Sequence, residues 1–407
     1  MNYYHRFIES SLVSPSSRNK IKILFGARQT GKSTLLRYLL GEQALFIDLQ
    51  DSSKRLEFER RPKAFSEILL GKKEKKTVVV VDEIQKVPSL LDEVQWLYDS
   101  HPERFVFFLT GSSARRLRTS ASNLLPGRSH LFHLNPLTAW EQTPAPDCEI
   151  LPSPRRSPSP LFPSKTLEDL LIFGSLPGVF LEQEESARRT LEGYVELYLE
   201  EEIRREGLAK DPGAFSRFLE LAAMESGQMM NLTKLSSESG TPMTTIRLYY
   251  QVLVDTFIGY WLEPFTKKSR KRLLTTPRFY FFDLGVRHAA ARLPFDNSLI
   301  KMQKRQLLEH WVALELIHRV QALGRDYRVS FWRTVGGAEV DFVLETPEEV
   351  IPIEVKWTDS PSVADIRHLQ IFLEDYRSKA QRAYLICRVA EKRQLADHVW
   401  AIPWSQL

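Results

Sequence analysis

The chain has 407 residues, of which 43% are hydrophobic, 11% aromatic and 26% charged. Its length predicts two or three domains, and its composition excludes a largely disordered chain. No stretch approaches the ~20 apolar residues of a membrane span, and residues 1–10 lack the apolar core of a secretory signal. The net charge of +5 permits contact with nucleic acid without requiring it.

The chain has 2 cysteines, and they lie far apart in the sequence, at Cys148 and Cys387. This arrangement excludes a disulfide framework and a cysteine-ligated zinc site. His310 and His318 also lack the spacing and partners of a zinc site. We therefore expect a protein of the reducing cytoplasm that does not enter a membrane.

The first 142 residues alternate short apolar runs with helical patterns. Strands are predicted over residues 20–25, 44–48, 77–81 and 105–110. This alternation predicts a parallel sheet covered by helices on both faces. The proline- and serine-rich residues 143–164 then predict a linker or a long surface loop, in which neither helix nor sheet is sustained.

The remaining chain divides into two further parts. Residues 165–272 are predicted to be mainly helical, with a long charged helix over 184–206. Residues 273–407 return to α/β character, with a helix over 306–321. The strand candidates there are FYFFD, RVSFW, EVDFVL, VIPIEV and RAYLIC.

The segment GARQTGKS fits the phosphate-binding pattern G-x-x-x-x-G-K-(S/T). It follows an apolar strand and precedes a helical run, which is the context that the pattern requires. Backbone N–H groups of such a loop surround a phosphate, Lys32 reaches the β- and γ-phosphates, and Ser33 binds Mg²⁺. The predicted nucleotide-binding residues are Gly26, Ala27, Arg28, Gln29, Thr30, Gly31, Lys32, Ser33 and Thr34.

Two carboxylates follow the apolar run VVVV, which is predicted to be a central strand. Asp82 is predicted to hold Mg²⁺ together with Ser33, and Glu83 to orient and deprotonate the attacking water. Another strand ends in Thr110–Ser113, and there Ser112 is our candidate for sensing the γ-phosphate, although Thr110 or Ser113 would also serve.

Four arginines follow that strand, and one of them is a candidate arginine finger, acting within the chain or from a neighbouring subunit. Arg128 is the preferred candidate. The others are Arg115, Arg116 and Arg118.

Together the segments GARQTGKST, VVVVDEIQKV, FLTGSSARRL and PGRSHLFHLNPL resemble bacterial and archaeal AAA-type P-loop ATPases with a C-terminal domain of unknown function 4143. The run GSLPGVFL continues the likeness, whereas the proline-rich residues 143–164 depart from it. The resemblance implies an ATP-hydrolysing core of the lineage that includes STAND-like ATP-gated switches.

The middle part contains a predicted helix–turn–helix. Asn231 and Thr241 are predicted N-caps, with a tight turn at Gly240. A basic loop follows, and the whole resembles a winged helix. The loop's cations are candidates for contact with duplex DNA phosphates. Alternatively, the module transmits the nucleotide state. These cations are Lys267, Lys268, Arg270, Lys271 and Arg272.

The last part carries the spacing D-x(12)-E-x-K. Asp341 and Glu354 are predicted on neighbouring strands, with Lys356 on the same face as Glu354. Glu309, on the preceding helix, would supply a third carboxylate to a bound Mg²⁺. This pattern resembles the PD-(D/E)XK nuclease core with its restriction-endonuclease-like fold, although that fold also occurs in catalytically inactive binding modules.

Two functional hypotheses follow. In the first, an ATPase drives a DNA-processing or defence-related nuclease-like domain, and magnesium serves both sites. In the second, the protein is an ATP-dependent signalling switch whose C-terminal domain only binds a partner, which would be another protein or a second copy of the chain. A purely structural scaffold is disfavoured because the phosphate loop and its carboxylates are complete.

Overall fold

The computed structural model describes residues 3–14, 19–115, 117, 125–143, 150–152, 160–199, 212–266, 276–324 and 326–407. The chain forms two compact units. The first comprises Met1–Asn135, Pro158–Pro160 and Asp255–Phe257. The second comprises Pro136–Ser157, Leu161–Val254 and Ile258–Leu407.

The first unit is built on a five-stranded parallel sheet with the order β2-β3-β4-β1-β5. Its strands are β1 (Ile21–Phe25), β2 (Ala44–Asp48), β3 (Thr77–Asp82), β4 (Phe105–Gly111) and β5 (Ser129–His133). The first four coincide with the predicted strands, whereas β5 was not predicted. The partly exposed burial pattern of β5 at the sheet edge explains why its sequence shows no apolar run.

Apolar clusters cover both faces of this sheet. On one face Val79 and Val81 pack in a cluster with residues of α3 (Ser52–Arg60), α4 (Lys63–Leu70) and α5 (Leu90–Ser100). On the other face Val80 packs in a cluster with residues of α1 (Glu9–Leu12) and α2 (Lys32–Leu40). The predicted parallel sheet, buried on both sides, is confirmed.

The proline-rich segment is held at both ends. β6 (Gln142–Thr143) pairs in parallel with β7 (Phe162–Pro163), and Phe162 is buried. The prediction that no sheet forms in residues 143–164 is therefore wrong at these ends. Between them, residues 144–149 and 153–159 lie outside the described part of the chain.

The second unit continues with helices. They are α6 (Leu167–Phe173), α7 (Pro177–Phe180), α8 (Glu184–Gly193), α9 (Pro212–Met224), α10 (Leu232–Ser239), α11 (Met243–Asp255), α12 (Leu284–Ala290), α13 (Asn297–Leu323) and α14 (Arg367–Asp375). Helix α13 contains one residue with non-helical dihedral angles, Gln303.

The predicted helix over 184–206 is α-helical only as far as Gly193. A π-helical turn, Tyr194–Leu199, follows, and residues 200–211 lie outside the described residues. A π turn has i→i+5 hydrogen bonds and changes which residues share a face. Within this turn Tyr194 is buried, while Leu197 is 66% exposed.

The predicted helix–turn–helix corresponds to α10 and α11, joined at Gly240 with φ +67°. The Asn231 side chain caps α10, as predicted, by accepting a hydrogen bond from the Lys234 N–H. Thr241 does not act as the predicted cap, because its buried hydroxyl has no hydrogen-bond partner among the described residues. An antiparallel pair follows, β8 (Gly259–Leu262) with β9 (Arg278–Phe281), and the basic loop between them lies outside the described residues.

The C-terminal sheet has six strands in the order β10-β11-β12-β13-β15-β14. They are β10 (Arg328–Arg333), β11 (Glu339–Glu345), β12 (Val350–Val355), β13 (Ala383–Cys387), β14 (Arg393–Ala396) and β15 (Val399–Pro403). β12, β13 and β15 run parallel, and the other neighbours are antiparallel. Helix α14 covers one face through Leu369 and Phe372. The mixed α/β character expected from the sequence is confirmed.

Candidate functional site

Three predicted segments meet at the carboxyl edge of the parallel sheet. Strand β4 lies between β1 and β3, so the phosphate-binding loop after β1, Asp82 at the end of β3 and Ser112 after β4 are neighbours. In open α/β sheets this edge is where ligands bind. The order of strands, which the sequence does not state, therefore assembles the site.

Two glycines allow the loop its shape. Gly31 has φ +92°, a conformation that side chains with a Cβ rarely adopt. A Cβ on Gly26 would lie 2.2 Å from the carbonyl oxygen of Leu134. Gln29 also has a positive φ, 63°. The loop is thus tightly curved where it must approach a ligand closely.

Lys32 begins helix α2 and is buried. Its Nζ donates hydrogen bonds to the carbonyl oxygens of Gly26, at 2.9 Å, and Ala27, at 2.8 Å. Thr30 is turned inward and donates to the same Ala27 carbonyl at 2.9 Å. Thr34, also among the predicted ligands, is exposed on the first turn of α2. A positive charge is therefore held inside the curve of the loop.

Asp82 connects the loop with the neighbouring strand. The Ser33 hydroxyl donates to Asp82 Oδ2 at 2.7 Å, and the Thr110 hydroxyl donates to Oδ1. Ser33 and Asp82 thus place two hard oxygen donors side by side, which is the chemistry that Mg²⁺ prefers. Thr110, which the sequence offers as an alternative to Ser112 for sensing the γ-phosphate, thus hydrogen-bonds the Asp82 carboxylate.

Glu83 lies next to Asp82 in a left-handed conformation, with φ 61°. Its Oε2 accepts hydrogen bonds from Ser112 Oγ at 2.8 Å and from Gln85 Nε2. Burial alone would raise the pKa of Glu83, but the Lys32 ammonium and these two bonds, with Arg28, bring the pKa below its usual value. Glu83 is therefore an ionised, buried carboxylate.

Two residues of this site escaped the sequence analysis. Gln85 follows Glu83 by two positions and contacts both Glu83 and Ser112. Arg6 lies far upstream, and its guanidinium donates to the carbonyls of Thr30 at 2.8 Å and Asn135 at 2.7 Å. The sequence carries a signal for Gln85, a polar residue beside the carboxylate pair, but none for Arg6.

The structure describes two of the four candidate arginine fingers, Arg128 and Arg115. Arg128 precedes β5, and its carbonyl bonds the N–H of Ile21 at the opposite, amino edge of the sheet, while its side chain pairs with Asp99 at 2.8 Å. Arg115 lies 3.9 Å from Asp255. Arg116 and Arg118 lie outside the described residues. A finger role for Arg128 thus stays a prediction for a neighbouring copy only.

The second unit brings together the predicted C-terminal residues. Phe342 of β11 lies opposite Ile353 of β12. The adjacent residues Asp341 and Glu354 therefore also lie opposite each other, and their side chains are on the face of the sheet that Phe342 and Ile353 do not occupy. Asp341 Oδ2 accepts from the Val355 N–H at 2.9 Å, and Lys356 Nζ donates to Glu354 Oε1 at 2.6 Å. Glu354 Oε2 is buried and has no partner among the described residues.

An arginine that the sequence analysis overlooked occupies the same cluster. The Arg278 side chain, 7% exposed, pairs with Glu309 at 2.9 Å and with Glu339. Tyr280 donates to Glu309 at 3.4 Å. Glu309 is thus turned toward the Arg278 guanidinium, whose charge also acts on Asp341.

The carboxylates of this cluster disfavour each other's charge. Removal from water and the neighbouring Asp341 raise the pKa of Glu309 and of Glu354, each to about 8. Among the described residues no three His, Cys, Asp or Glu side chains form a group suited to hold a metal ion. Arg278 and Lys356 pair with Glu309 and Glu354 in this arrangement, and the convergence of Glu309, Asp341 and Glu354 on one Mg²⁺ stays a prediction.

Family comparisons divide the chain into three matched regions. Residues 18–143 match an AAA domain, residues 164–297 a domain of unknown function (DUF8612) and residues 304–407 a domain of unknown function (DUF4143). The chain therefore carries an AAA-type ATPase-like domain followed by a C-terminal DUF4143 domain.

Two uncharacterized proteins, from Mycobacterium bovis and Mycobacterium tuberculosis, are each 25% identical over 391 residues, which cover 96% of this chain and 81% of the relative. Among solved structures, Drosophila ORC bound to DNA matches 67% of this chain and 89% of its own at 11% identity and a TM-score of 0.25. A STAND protein from Pyrococcus horikoshii matches 79% of this chain and 50% of its own at 10% identity and a TM-score of 0.25.

In the described ranges, no helix combines enough length with enough apolar character to cross a bilayer.

Proposed function

We propose that the AAA-type unit binds Mg²⁺-ATP at the loop Gly26–Ser33 and hydrolyses it. The observation that carries the proposal is the network at the carboxyl edge, where Ser33 bonds Asp82 and where Ser112 bonds Glu83. Mg²⁺ would be held by Ser33 and Asp82 and would neutralise phosphate charge when bound. Lys32 would contact the β- and γ-phosphates.

Glu83 would act as the base that accepts a proton from the attacking water. A general base must be ionised before the reaction, and the lowered pKa of Glu83 meets that condition. Ser112 would keep the carboxylate oriented. Lys32 and Glu83 attract each other across the site. Bound phosphates would therefore compete with Glu83 for the positive charge of Lys32.

Two substitutions test the proposal by separating binding from turnover. Lys32→Ala should abolish binding of a fluorescent ATP analogue, because it removes the cation inside the loop. Glu83→Gln should preserve the Kd for ATP and lower kcat by about 100-fold or more. Glu57→Gln, an exposed change on α3, is the control. Hydrolysis at the wild-type rate by Glu83→Gln would remove the base from the proposal.

For the C-terminal domain we propose a nuclease-like, DNA-processing role coupled to the nucleotide state. The observation in its favour is the register that places Asp341 and Glu354 side by side, with Lys356 next to them. Plasmid nicking with Mg²⁺ or Mn²⁺, with and without ATP, tests it. Asp341→Asn should end cleavage and leave ATP hydrolysis intact, whereas the exposed change Glu391→Gln should affect neither.

The competing proposal is a switch whose C-terminal domain is an inactive binding module. Its supporting observation is that Arg278 pairs with two carboxylates of the cluster where a nuclease needs a metal. The plasmid assay separates the two proposals, because ATP hydrolysis without any metal-dependent nicking favours the switch. A partner protein or a second copy of the chain would then be the binding target.

The winged-helix-like module and its basic loop remain a prediction, since residues 267–275 lie outside the described part of the chain. If Lys267, Lys268, Arg270, Lys271 and Arg272 contact duplex DNA, affinity should fall steeply as salt rises. Replacing several of them by alanine should flatten the slope by about one unit per lost phosphate contact. Affinity that ignores both salt and these changes would exclude the loop from DNA binding.

A further inference from the structure

Gln85 is a buried polar residue for which the proposed roles leave no function. It lies in the short 3₁₀ turn Ile84–Lys86 and is 5% exposed. Its Nε2 donates to Glu83 Oε2 and, at 2.9 Å, to Ser112 Oγ. It thereby connects the proposed base with the residue that follows β4.

The partners determine which way the amide faces. An ionised carboxylate only accepts hydrogen bonds, so the NH₂ group of Gln85 must face Glu83 and the carbonyl oxygen must face away. That oxygen, Oε1, is buried and has no hydrogen-bond partner among the described residues. Buried polar atoms without a partner are rare in proteins and commonly mark a site that is completed by water or ligand.

The surroundings of Oε1 place it beside the strand ends from which the phosphate-binding loop begins. A Cβ built on Gly111 would lie 3.1 Å from Gln85 Oε1 and equally close to the Phe25 ring. Phe25 is the last residue of β1, and the N–H of Gly26 bonds the Gly111 carbonyl at 3.3 Å. The glycine therefore leaves room for the amide between the ends of β1 and β4, next to the loop.

We propose that Gln85 binds the attacking water together with Glu83. The two side-chain donors near Glu83, Ser112 and Gln85, both bond Oε2, so Oε1 of Glu83 is the oxygen available to the water. Water that donates one proton to Glu83 Oε1 and the other to Gln85 Oε1 directs a lone pair away from both acceptors. This inference rests on the proposed hydrolysis of ATP.

The proposed step is the hydrolysis of the γ-phosphate of ATP by this water. The water oxygen forms a bond to the γ-phosphorus, and the bond between that phosphorus and the bridging oxygen of ADP breaks, leaving the electron pair on ADP. One water proton passes to the Glu83 carboxylate, and the other stays on the phosphate product after donating to Gln85 during the attack. Gln85 changes neither its protonation nor its covalent structure.

The test compares Gln85→Leu and Gln85→Glu in the full-length chain with wild type and with Gln43→Leu, the same change at an exposed position of the same unit. Leucine removes both amide groups, whereas glutamate keeps the size and an acceptor but replaces the donor to Glu83 with a like charge. Steady-state ATP hydrolysis and the Kd for a fluorescent ATP analogue are measured for each.

We expect both Gln85 variants to lower kcat by about 100-fold while the Kd for the analogue changes less than about threefold. A loss of folding alone would lower the measured affinity for the analogue as well. If Gln85→Leu does not fold, the near-isosteric Gln85→Glu decides.

Three outcomes would overturn the inference. The first is a wild-type kcat in both variants. The second is a raised kcat, which would mean that Gln85 restrains the base. The third is a parallel loss of nucleotide affinity and turnover, which would mean that Gln85 has a structural role. A wild-type protein that binds no ATP would instead refute the proposed function before Gln85 is considered.

Discussion

Two buried glutamates show how surroundings decide the charge of one residue type. Glu83 is kept ionised by Lys32 and by two side-chain donors. Glu354 faces Asp341 across the strands, and Lys356 offsets only part of that repulsion. Glu83 is thus ionised and able to accept a proton. Glu354 instead holds a proton at neutral pH unless a bound cation takes the place of that proton.

The raised pKa of Glu354 predicts a pH-dependent stability. Its folded pKa of about 8 exceeds the ordinary 4.5, so the folded state holds a proton between these values and this stabilisation is lost as pH rises through 8. Glu354→Gln cannot ionise. In EDTA, its melting temperature relative to wild type should therefore rise between pH 6 and pH 9.

Glu391→Gln, at an exposed position, is the matched control and should follow wild type at every pH. Each pKa unit of the shift corresponds to about 1.4 kcal/mol in the free energy of unfolding. A difference between Glu354→Gln and wild type that stays constant with pH would show that the carboxyl does not titrate in this range.

At the scale of elements, a buried aspartate ties the GSLPG loop to helix α12. Asp283 accepts hydrogen bonds from the N–H groups of Ser175, at 2.7 Å, and Val286, at 3.0 Å. Gly174 has φ +72°, and a Cβ there would lie 2.3 Å from Asp283 Oδ1. Glycine is therefore required at position 174, because the positive φ disfavours other residues and because a Cβ would clash with Asp283.

Removing this aspartate should destabilise the second unit strongly. Asp283→Ala leaves two N–H donors without their partner at a buried site, and each such loss costs about 1–3 kcal/mol. Asp296→Ala is the matched comparison, since Asp296 also caps a helix, α13, by accepting from the Ser298 N–H, but is exposed. Chemical denaturation should show a clearly smaller effect for Asp296→Ala; equal effects would mean that the buried bonds add nothing.

At the scale of the molecule, each of the two units contains apolar clusters of its own among the described residues. The first contains the clusters on the two faces of the parallel sheet, and the second the cluster under α14. Within the second unit, residues just after the AAA-type sheet are anchored on α13. There Glu315 accepts from the Ala139 N–H at 3.0 Å and pairs with the buried Arg319, which lies over the Trp140 ring.

Two compact units predict two calorimetric transitions, and ligand should move only one. A non-hydrolysable ATP analogue with Mg²⁺ at 100 times its Kd should stabilise the first unit by about 2.7 kcal/mol. Lys32→Ala should remove that shift and leave the other transition unchanged. Arg319→Met should instead lower the second transition, because it leaves Glu315 buried without its cation. A single transition that moves in all variants would contradict independent unfolding of the two units.

The sequence by itself determined the features that neighbouring residues encode. The loop around Lys32, the buried strand before Asp82 and the alternation that places Glu354 and Lys356 on one face all depend on short-range periodicity and backbone geometry. These were predictable because a strand or a loop is specified by residues that lie within a few positions of each other.

Only the tertiary structure decided which distant side chains meet. It placed Arg128 at the opposite sheet edge, paired Arg278 with Glu309 and brought Arg6 to the loop. Such partners come from strand order and from contacts across many residues, which no local pattern records. Their charges also matter only after burial removes water, so a carboxylate's role depends on the folded surroundings and not on its place in the sequence.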